Sequence, residues 1–171
     1  MKTIIEYLQN KQTFDNAKNN CEPFVKAALE EDDWTVEFGT EDKDFGGINL
    51  KATRETIIDN EENERPGGTF TIDVKDSTQQ NQNSKSFLFT TVSDSGKPFA
   101  FKKNNYFAFI DREDKTIALI SHDDVKNLVA NYSERQSKSS ENGKYVLIPK
   151  QALKKLSRII NPSNNVKRLL K

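Results

Sequence analysis

Apolar and polar positions alternate along several short stretches of this chain, and that period of two predicts strands. In 34–38, Trp34, Val36 and Phe38 share one face, and Thr35 and Glu37 the other. The segment "INLKAT" reads as a second strand. In 69–75, Phe70, Ile72 and Val74 leave one face, so Asp73 and Lys75 leave the other together. That polar face is expected to meet solvent. "FLFTTV", "YFAFID" and "TIALIS" give further strands, with "DREDK" as the hairpin turn between the last two.

Elsewhere the period lengthens to that of a helix. Phe14, Ala17, Cys21, Phe24, Val25, Ala28 and Leu29 recur at spacings of three and four. Pro23 interrupts the series, and proline is tolerated in a first helical turn. The helical stretch from residue 3 is therefore expected to break at 20–22 and restart for 23–31. Ser121 followed by Asp124 reads as an N-cap, with Val125, Leu128, Val129 and Tyr132 on one helical face. "YVLIP" is extended, and 151–160 reads as a last helix ending at "NPSNN". The stretches 39–47, 59–68, 76–86 and "SERQSKSSENGK" read as loops. Together these elements predict an α/β (α+β) domain, with a central mixed β-sheet flanked by helices. It spans 1–160, and 161–171 forms a basic C-terminal tail.

Composition narrows the function classes. The 171 residues carry 26 basic and 26 acidic side chains, so the net charge is zero. Nothing global attracts nucleic acid, and any grip on DNA has to be local. The single cysteine, Cys21, excludes an internal disulfide and suits a reducing, cytoplasmic setting. No apolar run approaches the ~18 residues of a membrane span, and no secretion signal is expected. One His and one Cys exclude most zinc patterns. His122 is expected on the surface, and Trp34 and most of the eleven Phe in the core. Gly46-Gly47 and Gly67-Gly68 read as turns.

Asp73 and Lys75 remain as candidate chemistry. The spacing alone is common, since Glu41/Lys43, Glu113/Lys115 and Asp124/Lys126 repeat it. Only Asp73/Lys75 ends an apolar strand. Phosphodiester cleavage needs carboxylates that converge on a hard cation, and a positive group near the phosphorus.

The order "EPFVKAAL", "WTVEF", "DFGGINL", "FTIDVK" over 20–76 resembles the core of the PD-(D/E)XK nuclease superfamily. That superfamily includes restriction endonucleases, Holliday-junction resolvases and phage nucleases. The resemblance implies a restriction endonuclease-like core and a Mg²⁺- or Mn²⁺-dependent nuclease acting on DNA, encoded by a phage or mobile element. It implies that Glu22 and Asp73 help hold metal and that Lys75 positions water or phosphate. A homodimer is one arrangement the superfamily uses. Asn49 departs from the pattern, because relatives carry an aspartate there. An amide oxygen lacks the charge that favours Mg²⁺. Three explanations stay open: Asp44 supplies the missing ligand, the site is inactivated, or the fold serves to bind nucleic acid or a partner protein without cutting. DNA contacts are expected from Lys75, Lys102, Lys103 and part of the tail. Tyr106 and Phe107 are either base-stacking rings or a hairpin edge.

Overall fold

A computed structural model describes residues 21–39, 50–76, 85–101, 105–138 and 140–170. Asp44, Asn49, Lys102, Lys103 and the expected helix before residue 21 lie outside the described residues. Helix α1 (Cys21–Glu30) carries Pro23 in its first turn, where the lost N–H costs nothing. It buries Phe24, Val25, Ala28 and Leu29, which fall at helical spacing. It ends in a turn where Trp34 N–H donates to the Leu29 carbonyl at 3.2 Å and Asp33 takes φ 65°.

The alternating segments form strands, as their period requires. Strand β1 (Thr35–Phe38) pairs antiparallel with β2 (Leu50–Arg54). A two-stranded hairpin, β3 (Ile57–Ile58) and β4 (Glu64–Arg65), interrupts the acidic connection. Strand β5 (Gly68–Asp76) then pairs antiparallel with β2, placing Leu50 opposite Ile72. β6 spans Ser86–Val92, β7 Asn105–Asp111 and β8 Thr116–Ser121. β7 runs parallel to β5, with Asp73 opposite Phe107 and Lys75 opposite Phe109. β7 and β8 form the expected hairpin, turning at Lys115 with φ 56°.

Helix α2 (His122–Asn131) starts at the predicted cap, where Ser121 Oγ accepts from Asp124 N–H. There follow β9 (Glu134–Gln136), β10 (Lys144–Pro149), α3 (Lys150–Lys155), β11 (Arg158–Ile160) and α4 (Asn164–Lys167). The six-stranded mixed sheet has the order β1-β2-β5-β7-β8-β11, and a second sheet has the order β6-β10-β9. The architecture is therefore α+β, with a large mixed sheet and few helices, as the alternation predicts. No helix among the described residues is long and apolar enough to cross a membrane.

Both faces of the large sheet are covered. On one face, α1 and the C-terminal segment pack over Leu50, Ala52, Ile72, Ala108 and Ile110. On the other, Phe87 and Phe89 of β6 join Phe107, Phe109, Ile120 and Val146 in a second cluster. This second cluster corrects one expectation. The face carrying Asp73 is not solvent-facing, because β6 and β10 lie over it, and Asp73 is buried.

Four local readings also change. The stretch 151–160 is not one helix, because Ser157 Oγ donates to the Leu153 carbonyl at 2.6 Å and the β-branched Ile159 and Ile160 pair with β8 instead. Part of the loop read at "SERQSKSSENGK" is strand β9, paired with β10. His122 is buried rather than exposed, its ring 5.4 Å from that of Phe101. The segment from 161, read as a basic tail, docks on α1. Val166 and Leu170 enter its core, and Ser163 N–H donates to Glu31 Oε1 at 3.0 Å.

Candidate active site

Residues 69–75 form a strand because β-branched and aromatic side chains alternate there and neighbours pair on both sides. That register sends Asp73 and Lys75 to the same face, toward Phe107 and Phe109. Lys75 Nζ lies 3.2 Å from Asp73 Oδ2, the aspartate almost fully buried and the lysine 22% exposed. The same ammonium sits 4.7 Å from the centre of the Phe99 ring and 5.5 Å from that of Phe89. Cation–π attraction and the ion pair together hold one positive charge inside an aromatic cluster. The structure thus brings two of the predicted residues into contact.

Glu22 lies in the first turn of α1, which packs on the opposite face of the sheet from Asp73. Asp44, Asn49, Lys102 and Lys103 fall outside the described residues. Mg²⁺ needs several hard oxygens in near-octahedral array. Among the described residues no three His, Cys, Asp or Glu side chains form a group that could hold a metal ion. On this face Asp73 Oδ2 already faces the Lys75 ammonium, and Asp111 of β7 is held by Lys150 at 3.1 Å and Lys154 at 2.8 Å. The described donor set does not by itself make a metal site.

Sequence reasoning missed two charged networks. At the end of β5, Asp76 accepts from Arg112 through Nε at 3.1 Å and Nη2 at 2.8 Å. Arg112 Nη2 also reaches Cys21 Sγ at 3.2 Å, tying the strand to the start of α1. Burial, with Asp76 adding to it, pushes the Cys21 thiol up to about 12, and Arg112 only partly offsets this. The hydrogen bond to Asp76 raises Arg112 further. Cys21 is therefore a structural thiol rather than a nucleophile.

The second network surrounds Asp32, in the turn after α1. Arg54 of β2 donates to its Oδ2 at 3.3 Å, Arg158 of β11 to the same oxygen at 2.9 Å, and Arg65 of β4 to Oδ1. The Arg54 guanidinium also stacks 4.3 Å from the centre of the Trp34 ring. Trp34, Phe70 and Tyr106 then form a row of edge-to-face rings, with centroids 4.7 and 5.0 Å apart. The three arginines are distant in sequence, so no spacing announces them. The one legible signal was Tyr106, singled out as an aromatic near lysines.

Comparison of the chain with protein-family profiles, curated proteins and solved structures gives no match.

Proposed function

We propose that the chain is a divalent-metal-dependent, nuclease-type protein acting on DNA inside the cell, with Asp73 and Lys75 at its working centre. The observation that carries this reading is the ion pair itself, buried among phenylalanines in the middle of a sheet. A buried ion pair repays its desolvation poorly, and apolar residues of similar volume are often as stable or more so. A charged pair kept in such a place is better explained by function than by stability. The order of α1, the antiparallel β1-β2-β5 and the parallel β7 also supports the resemblance over 20–76.

In this reading Asp73 offers one oxygen to Mg²⁺ or Mn²⁺, and Asp44 and Asn49 are further ligands that the resemblance implies; Glu22, which the resemblance also implies, sits on the helix covering the other face of the sheet. When bound, the metal would polarise the phosphate and activate water. Lys75 supplies a point charge for a phosphate oxygen, and its partial exposure leaves the ammonium within reach of solvent. Lys102 and Lys103 extend the contact along the backbone, and a homodimer would present two such centres.

A second reading is favoured by two observations: Asp73 Oδ2 faces Lys75, and position 49 is an amide. In it the protein keeps the fold and binds nucleic acid or a partner without cutting. A cleavage assay on linear, supercoiled and branched DNA with Mg²⁺ and Mn²⁺ separates the two. The first reading expects cutting that Asp73→Asn or Lys75→Met lowers at least about a hundredfold. Binding without cutting, by both the wild type and Asn49→Asp, would leave the second reading. A protein that neither binds nor cuts DNA would remove the first reading and the nucleic-acid form of the second.

A further inference from the structure

On the α1 side of the sheet a cleft of about 830 Å³ opens beside the Asp32 network. It takes no part in the Asp73–Lys75 centre, which faces the other way. Its volume lies within the range of about 300–1,000 Å³ typical of small-molecule sites. Its lining joins aromatic rings (Trp34, Phe70, Tyr106) to the guanidiniums of Arg54, Arg65 and Arg158. Two buried polar atoms of lining residues have no hydrogen-bond partner among the described residues: Arg54 Nε and His122 Nε2. Arg54 is 8% exposed and His122 7%. Leaving such buried atoms unsatisfied is costly, and the cleft they stand beside presents guanidiniums to a polar occupant.

We infer that this cleft binds a nucleotide unit, a planar base joined to a phosphate. Tyr106, 37% exposed, presents the accessible ring of the aromatic row, and bases stack on such surfaces irrespective of sequence. Arg65 and Arg158 both bond Asp32, and Arg65 also bonds Asp33 at 3.3 Å; each guanidinium has five N–H donors, so both keep donors for phosphate oxygens. Glu64 and Asp123 also line the cleft. A bare anion would be repelled by these carboxylates. A nucleotide uses them, because ribose hydroxyls and exocyclic amines are hydrogen-bond donors. The same chemistry belongs to a free nucleotide and to one residue of a single strand. The inference does not rest on cleavage at Asp73.

Calorimetric titration of the full chain tests it, with adenosine 5′-monophosphate, adenosine, inorganic phosphate and a short single-stranded oligodeoxyadenylate as probes. The expected result is saturable binding of the monophosphate, tighter than either fragment. Arg158→Gln, at a side chain 60% exposed, and Tyr106→Leu should each weaken it about tenfold without unfolding the protein. Asp73→Asn should bind like the wild type, which separates this site from the cutting centre. Tighter binding of the oligonucleotide, weakened by Arg158→Gln and Tyr106→Leu, would identify the occupant as a strand, and binding of the monophosphate alone would identify a free nucleotide. No saturable binding of either up to about 1 mM, phosphate binding as tightly as the monophosphate, or unchanged affinity in both variants would overturn the inference.

Discussion

Replacing Asp73 and Lys75 by apolar residues, singly and together, measures what the buried pair contributes. Unit charges 3.2 Å apart attract by about 5 kcal/mol at an effective dielectric constant of about 20. Close charge pairs at protein interfaces have shown couplings of this order. Asp73→Leu leaves the ammonium beside the rings of Phe99 and Phe89 without its carboxylate. Lys75→Met leaves a carboxylate in a buried position without its cation. Each single change should cost about 3 kcal/mol, the lower end for breaking a buried pair. The double variant should fall within about 1 kcal/mol of the wild type, because the attraction is lost once and both desolvation penalties vanish with it.

Urea unfolding followed by fluorescence of Trp34, the single tryptophan, gives all four stabilities. In Lys75→Met the buried carboxyl, having lost its cation, should have a folded pKa raised by burial. Its stabilising contribution is then present at low pH and lost as pH rises through the folded pKa, so the variant should recover stability on acidification. A double variant destabilised by the sum of the singles would show that the charges do not interact, and the reasoning would fail.

Other outcomes follow from the same structure. Gly67→Ala would place a Cβ 2.2 Å from the Arg54 carbonyl oxygen and 2.4 Å from the Glu55 carbonyl carbon. We expect a loss of about 2 kcal/mol and a fall in Tm of roughly 4–8 °C by calorimetry; an unchanged Tm would contradict the packing of that turn. Cys21, with a thiol near 12, should react with a disulfide reagent at pH 8 only on unfolding, and rapid labelling of the folded chain would refute its burial. Burial alone would raise the Asp111 carboxyl, but hydrogen bonds from Lys154 and Lys150 at 2.8 and 3.1 Å win and hold it below its ordinary 3.8. That stabilisation is complete above the unfolded pKa and is lost as pH falls through the lower folded value. The stability gap between wild type and Asp111→Asn should therefore hold near neutrality and close below about pH 4; a gap independent of pH would deny Asp111 this role.

The strands were legible because their period of two survives in the fold: Val36, Leu50, Ile72 and Ala108 all reach the cluster under α1. The cap at Ser121 and the proline entry to α1 were legible from local chemistry. The second layer was not. "FLFTTV" reads as a strand, but nothing in it says that it leaves the main sheet to cover Asp73. Asp73 and Lys75 were correctly placed side by side, since two residues on one strand must share a face. Their burial was invisible, because it depends on β6 and β10, which are remote in sequence. Ile159 and Ile160 carry helix-compatible spacing after Leu153, and only pairing with β8 makes them a strand. The arginines around Asp32 come from three strands, a convergence that no local pattern encodes.

The buried pair is proposed to serve chemistry rather than stability. Nicking of supercoiled plasmid in Mn²⁺ by the wild type and by the Asp73→Leu/Lys75→Met double variant tests it most directly, since that variant should remain folded. Nicking by the wild type is expected, with a loss of at least about a hundredfold in a double variant whose urea midpoint is nearly unchanged. Equal nicking by both proteins, or none by the wild type, would contradict it.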